Sequence, residues 1–121
     1  MNDVMLEYFR HKLVSWKNEL LREAGQTLRH LQEQDSHSAD QADRATAETD
    51  RSIELRTRDR ARKLAQKIDE ALQRIEQGSY GYCSETGDPI AIKRLEARPI
   101  ATLGLEAQER HERLEKTQRD D

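Results

Sequence analysis

The chain has 121 residues, of which 37% are charged, 34% hydrophobic and 4% aromatic, and its formal net charge is −3. So few apolar residues cannot fill a compact globular core, but they suit the narrow seam between two paired helices, which needs about two apolar positions in seven. The charge is uneven, since residues 32–50 carry six acids against one base and residues 51–67 carry seven bases against two acids. This pattern argues against nonspecific nucleic-acid binding by the whole surface.

The first predicted element is a helix within residues 1–34, the N-terminal region. Apolar side chains recur there at steps of three or four, which is the spacing of one face of a helix. A single helix with this stripe cannot bury it alone, so a partner helix is required. The stripe consists of Leu6, Phe9, Leu13, Trp16, Leu20, Ala24, Leu28 and Leu31.

Residues 35–78 are predicted to form an acidic tip and a second helix. The tip is a polar turn near Asp35–Ser38, and Ser38 with Gln41 fits a capping box that begins the helix. Gly78 is expected to end it. Because the second apolar stripe matches the first in length, the two predict an antiparallel coiled-coil hairpin. The second stripe consists of Ile53, Thr57, Ala61, Leu64, Ile68, Leu72 and Ile75.

Residues 79–121 are predicted to form a small globular module closed by a charged helix over residues 105–119. Glycines, prolines and short apolar pairs between Tyr80 and Leu105 favour tight turns and a short β-hairpin. Cys83 begins a four-cysteine zinc spacing whose other three positions hold Thr86, Gly104 and Ala107. Because structural zinc needs four ligands, we expect a degenerate, metal-free zinc-finger-like module without a zinc cofactor. Cys83 is interpreted as a buried structural thiol.

Two acids stand out at the start of the second helix. Asp40 and Asp43 are spaced to lie on one face of its first turn. They could merely complement the helix dipole, which is worth a few tenths to about 1 kcal/mol each. Alternatively, they form a probe whose carboxylates meet a metal ion or basic groups of a partner.

Four bases form a second candidate surface. At about 100° per residue, they fall within about 60° of one another on the second helix, and Leu64 lies at the boundary between them and the apolar stripe. Such a stripe is either a solvated flank of the coiled coil or a cationic surface for a phosphate-rich ligand or an acidic protein. This basic stripe consists of Arg56, Arg60, Lys63 and Lys67.

Other features restrict the class of protein. No nucleophile–base pair or Gly-rich phosphate loop is present, so catalysis is not expected. The single cysteine excludes an intrachain disulfide and fits a reducing compartment. No apolar run approaches a membrane span, and Met1–Asp3 does not begin a signal peptide. We therefore expect a cytoplasmic, monomeric protein without a membrane partner.

Several motifs occur in colinear order along nearly the whole chain, and together they resemble the DksA family of bacterial transcription factors. Arg94–Pro99 is the most specific of them. Because the four-cysteine spacing is kept while three cysteines are replaced, the chain resembles a cysteine-poor, zinc-independent member. The motifs are Ile53–Arg60, Gly81–Cys83, Arg94–Pro99, Phe9–Arg10, the Trp16 region and Asp40-x-x-Asp43-x-Ala45.

The resemblance implies a function at RNA polymerase. In this family the hairpin enters the secondary channel of the enzyme, places its tip near the catalytic centre and binds no DNA itself. With the alarmone ppGpp, it represses stable-RNA promoters in the stringent response. By resemblance, Asp40, Asp43 and Ala45 form the functional tip, and Leu64, Lys67 and Arg98 bind ppGpp together with the polymerase. The basic stripe residues Arg56, Arg60 and Lys63 are then expected to contact the polymerase.

Two positions depart from the family pattern. Gln108 stands where the family has a further lysine for ppGpp, and Gln41 stands where the best-known members have proline. Two other functions remain open. One is a transcript-cleavage factor of the secondary channel, whose acidic tip would hold a metal ion. The other is a structural coiled-coil adaptor without a role at polymerase, for which charge reversals at the tip would be silent.

Overall fold

The structure is a computed structural model that describes residues 1–37 and 44–120. Within these ranges the chain forms four helices, α1 (Asp3–His37), α2 (Arg44–Gln77), α3 (Ile92–Ala97) and α4 (Leu105–Asp120). It divides into two compact units, one of Met1–Leu13 with Glu70–Asp121 and one of Val14–Asp69. None of the helices in the described ranges is long and apolar enough to cross a membrane.

The unit Val14–Asp69 is an antiparallel pair of helical segments. Lys17, near its beginning, donates a hydrogen bond from Nζ to Oδ1 of Asp69, its last residue, over 2.6 Å. The predicted stripes face one another here, since Ala61 and Ile68 of α2 are buried and the stripe positions of α1 are half-buried. The periodicity of 3.6 residues therefore predicts the buried faces correctly.

The other unit holds most of the fully buried apolar side chains, because the module adds its side chains to those of the two helices. Phe9 and Leu13 of α1 are 1% and 0% exposed. The ring of Phe9 lies 5.7 Å from that of Tyr80, measured between centroids. Leu95 of α3 is fully buried, and Ala71 and Ile75 of α2 complete the apolar contacts. The end of α2 follows the prediction, because Gly78 adopts a φ of 80°, the left-handed conformation that glycine allows at a helix end.

Two local predictions are wrong. First, α1 continues to His37, so residues 35–37 are helical rather than part of a turn. Second, the segment between Tyr80 and Leu105 forms no β-hairpin among the described residues. It has a single antiparallel bridge between Tyr82 and Pro89, followed by α3. The N–H groups of Cys83 and Ile90 make this bridge, and α3 begins two residues after Ile90, where it buries Leu95. The predicted helix over residues 105–119 is confirmed as α4.

Candidate functional site

The basic stripe lies on one exposed side of α2. All four of its cationic side chains are exposed, while Leu64 beside them is half-buried. Two neighbouring arginines behave differently, because Arg58 pairs with Glu54 at 2.7 Å and Arg62 pairs with Asp59 at 3.2 Å. Within the described part of the chain, no ion pair joins the stripe to a carboxylate. Its charges are therefore available to a ligand or partner.

The acidic tip falls mostly outside the described ranges. Asp40 and Asp43 lie outside them, as do Gln41 and Ser38 of the predicted capping box. Ala45 lies in the first turn of α2 as the structure describes that helix.

Arg98 lies at the end of α3 in the other unit. It is the C-cap residue of the helix, and its N–H donates to the carbonyl oxygen of Arg94 over 2.8 Å. Its own carbonyl oxygen accepts the N–H of Ala101 over 3.0 Å. The Arg98 side chain is exposed and lines a cleft of about 770 Å³, together with Lys93 and Arg94. The backbone at Arg98 is therefore fixed while its guanidinium stays accessible.

A cluster of three side chains, Tyr8, Lys12 and Glu96, joins α1 to α3 and is called the Glu96 clamp below. Lys12 Nζ donates to the main-chain oxygen of Glu96 over 2.9 Å and to its Oε1 over 2.8 Å. The Tyr8 hydroxyl donates to the same carboxylate oxygen. These hydrogen bonds lower the pKa of the Glu96 carboxyl, with the larger contribution from Lys12 and the next from Tyr8. The hydrogen bonds of this carboxylate raise the pKa of Lys12, whose ammonium it stabilises, and the pKa of Tyr8, whose neutral hydroxyl donates to it.

The four positions of the zinc-finger spacing meet in the cleft that Arg98 also lines. Cys83, Thr86, Gly104 and Ala107 all contribute to its wall. Cys83 is 4% exposed, and hydrogen bonds lower the pKa of its thiol to about 7. The largest contribution is the Thr86 hydroxyl, and the backbone N–H of Gly104 comes next. The module therefore keeps a pocket of donors around one thiol, in which uncharged groups stabilise a thiolate.

Sequence reasoning missed the Glu96 clamp and the cause of the thiol's low pKa. Lys12 and Glu96 are 84 residues apart, so no local pattern connects them. The sequence did single out Arg94–Pro99 as a motif, and this was the available signal that residues around Glu96 and Arg98 act together. For Cys83, the groups that lower the pKa of the thiol are a hydroxyl and backbone N–H groups, which no sequence pattern marks as such.

Comparisons with known families cover most of the chain. Residues 5–75 match the family described as DnaK suppressor protein DksA, N-terminal domain. Residues 78–113 match the prokaryotic dksA/traR C4-type zinc finger. The boundary between the two matches falls at the end of α2, where the helix pair gives way to the module.

Individual relatives agree with these matches. The chain is 64% identical over 121 residues to the RNA polymerase-binding transcription factor DksA of Caulobacter vibrioides, covering 100% of this chain and 85% of that protein. It is 43% identical over 106 residues to its namesake in Escherichia coli K12, covering 88% and 70%. The solved structure of transcription factor DksA2 from Pseudomonas aeruginosa superimposes with a TM-score of 0.79 at 36% identity, covering 95% of this chain and 88% of that one. The predicted mainly helical fold, a coiled-coil hairpin with a C-terminal helix, is confirmed.

The prediction of a protein without zinc is contradicted, because the matched family over residues 78–113 is a C4-type zinc finger and points to zinc binding. The prediction rested on counting thiols. The donor set of this chain does not supply the four thiolates of that family, since Cys83 is joined at the other positions by a hydroxyl, a glycine and an alanine. In residues 1–37 and 44–120, no three His, Cys, Asp or Glu side chains are grouped so that they could hold a metal ion.

Proposed function

Because the chain belongs to the DksA family, we propose that it is a transcription regulator that binds bacterial RNA polymerase through the secondary channel. The observation that carries the proposal is the 64% identity, over all 121 residues, to a protein named as an RNA polymerase-binding transcription factor. The chain modulates promoter complexes together with ppGpp. It acts by binding and not as an enzyme, as a cytoplasmic monomer that makes no direct contact with DNA.

The basic stripe is proposed as a polymerase contact through Arg56, Arg60 and Lys63. Support comes from their exposure, and from the contrast with Arg58 and Arg62, whose charges are already paired along the helix. An exposed cation that pairs with an acidic group of the enzyme steers and orients the encounter. Exposed intrahelical pairs such as that of Arg62 are worth at most about 0.5 kcal/mol, so Arg62 provides a matched control.

The tip is proposed to act after binding, through Asp40, Asp43 and Ala45. Acidic side chains near the polymerase catalytic centre would change the lifetime of promoter complexes, while affinity comes from the stripe and the module. Binding and regulation are therefore separable by mutation at the tip.

Three residues are proposed to contact ppGpp in the complex with polymerase. Lys67 offers an exposed ammonium on α2 beside half-buried Leu64. Arg98 offers an exposed guanidinium at the end of α3, on a backbone with both its N–H and its carbonyl oxygen bonded. Each cation can form a charge-assisted hydrogen bond with a phosphate oxygen. Gln108 lacks the charge found at this position in the family, so we expect a higher ppGpp requirement than in members with lysine.

The test of the proposed function uses Asp43→Asn, with affinity for polymerase and repression of a ribosomal-RNA promoter measured in parallel. Asparagine is acceptable near a helix N-terminus, so the fold should survive. We expect the affinity of the wild type and a loss of repression. A variant that represses like the wild type would assign Asp43 to helix capping. Stimulated RNA cleavage in a stalled complex would instead support a cleavage factor.

A further inference from the structure

The Glu96 clamp fixes the segment that carries Arg98 from outside that segment. Lys12 binds Glu96 twice, once at the carboxylate and once at the main-chain oxygen two residues before Arg98. The bond to the main-chain oxygen matters most, because it restrains the backbone itself and not only a side chain. Tyr8 binds the same carboxylate, and the Lys12 ammonium lies 5.9 Å from the centroid of the Tyr8 ring.

Further bonds fix the backbone on the other side of Arg98. The buried hydroxyl of Tyr80 donates to the carbonyl oxygen of Pro99 over 2.8 Å. Arg94 Nε donates to the carbonyl oxygen of Leu103 over 2.9 Å, which ties α3 to the segment before α4. The backbone is thus held at Glu96, Arg98 and Pro99. The Arg98 side chain, in contrast, is exposed and makes no ion pair within the described ranges.

We propose that Lys12 and Tyr8 are positioning residues, which act through Glu96 to hold Arg98 in the conformation that binds a ppGpp phosphate. This inference rests on the proposed function of Arg98. A preordered backbone lowers the entropy cost of immobilising a guanidinium on its ligand, so the clamp raises affinity without touching the ligand. A purely structural role would hold α1 against α3 and leave the response to ppGpp unchanged.

The chain provides a matched control for Lys12. Lys17, also on α1, is 31% exposed and pairs with Asp69 at 2.6 Å, while Lys12 is 33% exposed and pairs with Glu96 at 2.8 Å. Lys12→Met and Lys17→Met therefore each remove one similar ion pair. Only Lys12→Met also removes a bond to the backbone near Arg98. Lys12→Arg keeps a cation that can donate to the Oε1 and to the main-chain oxygen of Glu96.

The first measurement is amide hydrogen exchange of Arg98 and Ala101 by NMR, in the protein without polymerase. Lys12→Met should speed the exchange of these amides roughly ten-fold, the scale of one charge-assisted hydrogen bond. Lys17→Met should leave them at the wild-type rate, and Lys12→Arg should stay close to it. Unchanged exchange in Lys12→Met would overturn the proposal, since the clamp would then not order the segment.

The second measurement is the ppGpp concentration that gives half-maximal repression of a ribosomal-RNA promoter by purified polymerase. We expect Lys12→Met to raise it roughly ten-fold, Lys12→Arg to restore it, and Lys17→Met to match the wild type. If Lys12→Met needs the same ppGpp concentration as the wild type while Arg98→Ala needs more, only the positioning role of Lys12 is overturned. An Arg98→Ala variant with the parent's response would overturn the ppGpp contact as well.

Discussion

Replacing Tyr80 by phenylalanine tests how firmly the module holds the segment next to Arg98. The Tyr80 side chain is 2% exposed, and its hydroxyl is the donor to the carbonyl oxygen of Pro99, over 2.8 Å in the buried core. The variant keeps the ring and its contact with Phe9 but leaves that oxygen without its donor. A buried acceptor that loses its partner costs about 1–3 kcal/mol. For a chain of this length, this corresponds to a fall in Tm of roughly 4–12 °C.

The same hydroxyl predicts a pH dependence. Burial raises the pKa of Tyr80 from 10.0 to about 12. The unfolded chain therefore ionises first as the pH rises, so the contribution of this group is fully present below pH 10 and is lost as the pH approaches 12. A difference of about two pKa units corresponds to about 2–3 kcal/mol. The stability advantage of the wild type over Tyr80→Phe should thus shrink across this window.

The assay is chemical denaturation followed by circular dichroism, at neutral pH and at steps between about pH 9 and pH 11.5. This range covers most of the interval between the unfolded and folded pKa values of Tyr80. Tyr82→Phe is the control, because the Tyr82 side chain is 44% exposed and its removal should leave stability nearly unchanged. All other titratable groups are the same in the wild type and in Tyr80→Phe, so the difference between these two proteins isolates Tyr80. Equal stability of Tyr80→Phe and the wild type at neutral pH, or a constant difference up to pH 11.5, would refute the reasoning.

Three further outcomes are expected. Leu95→Ala, at a position that is 0% exposed, should lose about 2–5 kcal/mol in chemical denaturation, whereas Leu114→Ala, at 55% exposure, should lose less than about 0.5 kcal/mol. Arg56→Glu should weaken binding to polymerase more steeply at low salt than Arg62→Glu does, and equal effects would show that the stripe is a solvated flank. Lys67→Ala should raise the ppGpp concentration needed for repression roughly ten-fold, and an unchanged concentration would remove Lys67 from the ppGpp site.

The two long helices could be predicted from sequence because their signal is local and repeated. The apolar stripe of α2 recurs over many turns, and residues such as Ala61 and Ile68 are buried as expected. By contrast, α3 has six residues and buries only Leu95, which is too short a segment to give a period. Helix ends were less accurate, since α1 passes through Asp35 without a residue that stops it.

Site residues could be predicted where residue type and helical spacing together mark one surface, and not where segments distant in the sequence meet. The stripe containing Lys67 follows from residue spacing alone, and the structure leaves it exposed. The bonds from Lys12 and Tyr8 to Glu96 join segments more than 80 residues apart and have no sequence signature. For zinc, the prediction weighed the three missing thiols above the four-position spacing that the chain keeps, and the match of residues 78–113 to a C4-type zinc finger contradicts it.

Competition for RNA polymerase tests the central claim most directly. The chain is labelled with a fluorophore by an enzymatic reaction at its C-terminus, so that Cys83 is kept. It is titrated with purified core polymerase, and anisotropy is recorded with and without an unlabelled transcript-cleavage factor that occupies the secondary channel. We expect saturable binding of the chain, and its displacement by the cleavage factor in proportion to concentration. The absence of saturable binding, or binding that the cleavage factor cannot displace, would contradict action through the secondary channel.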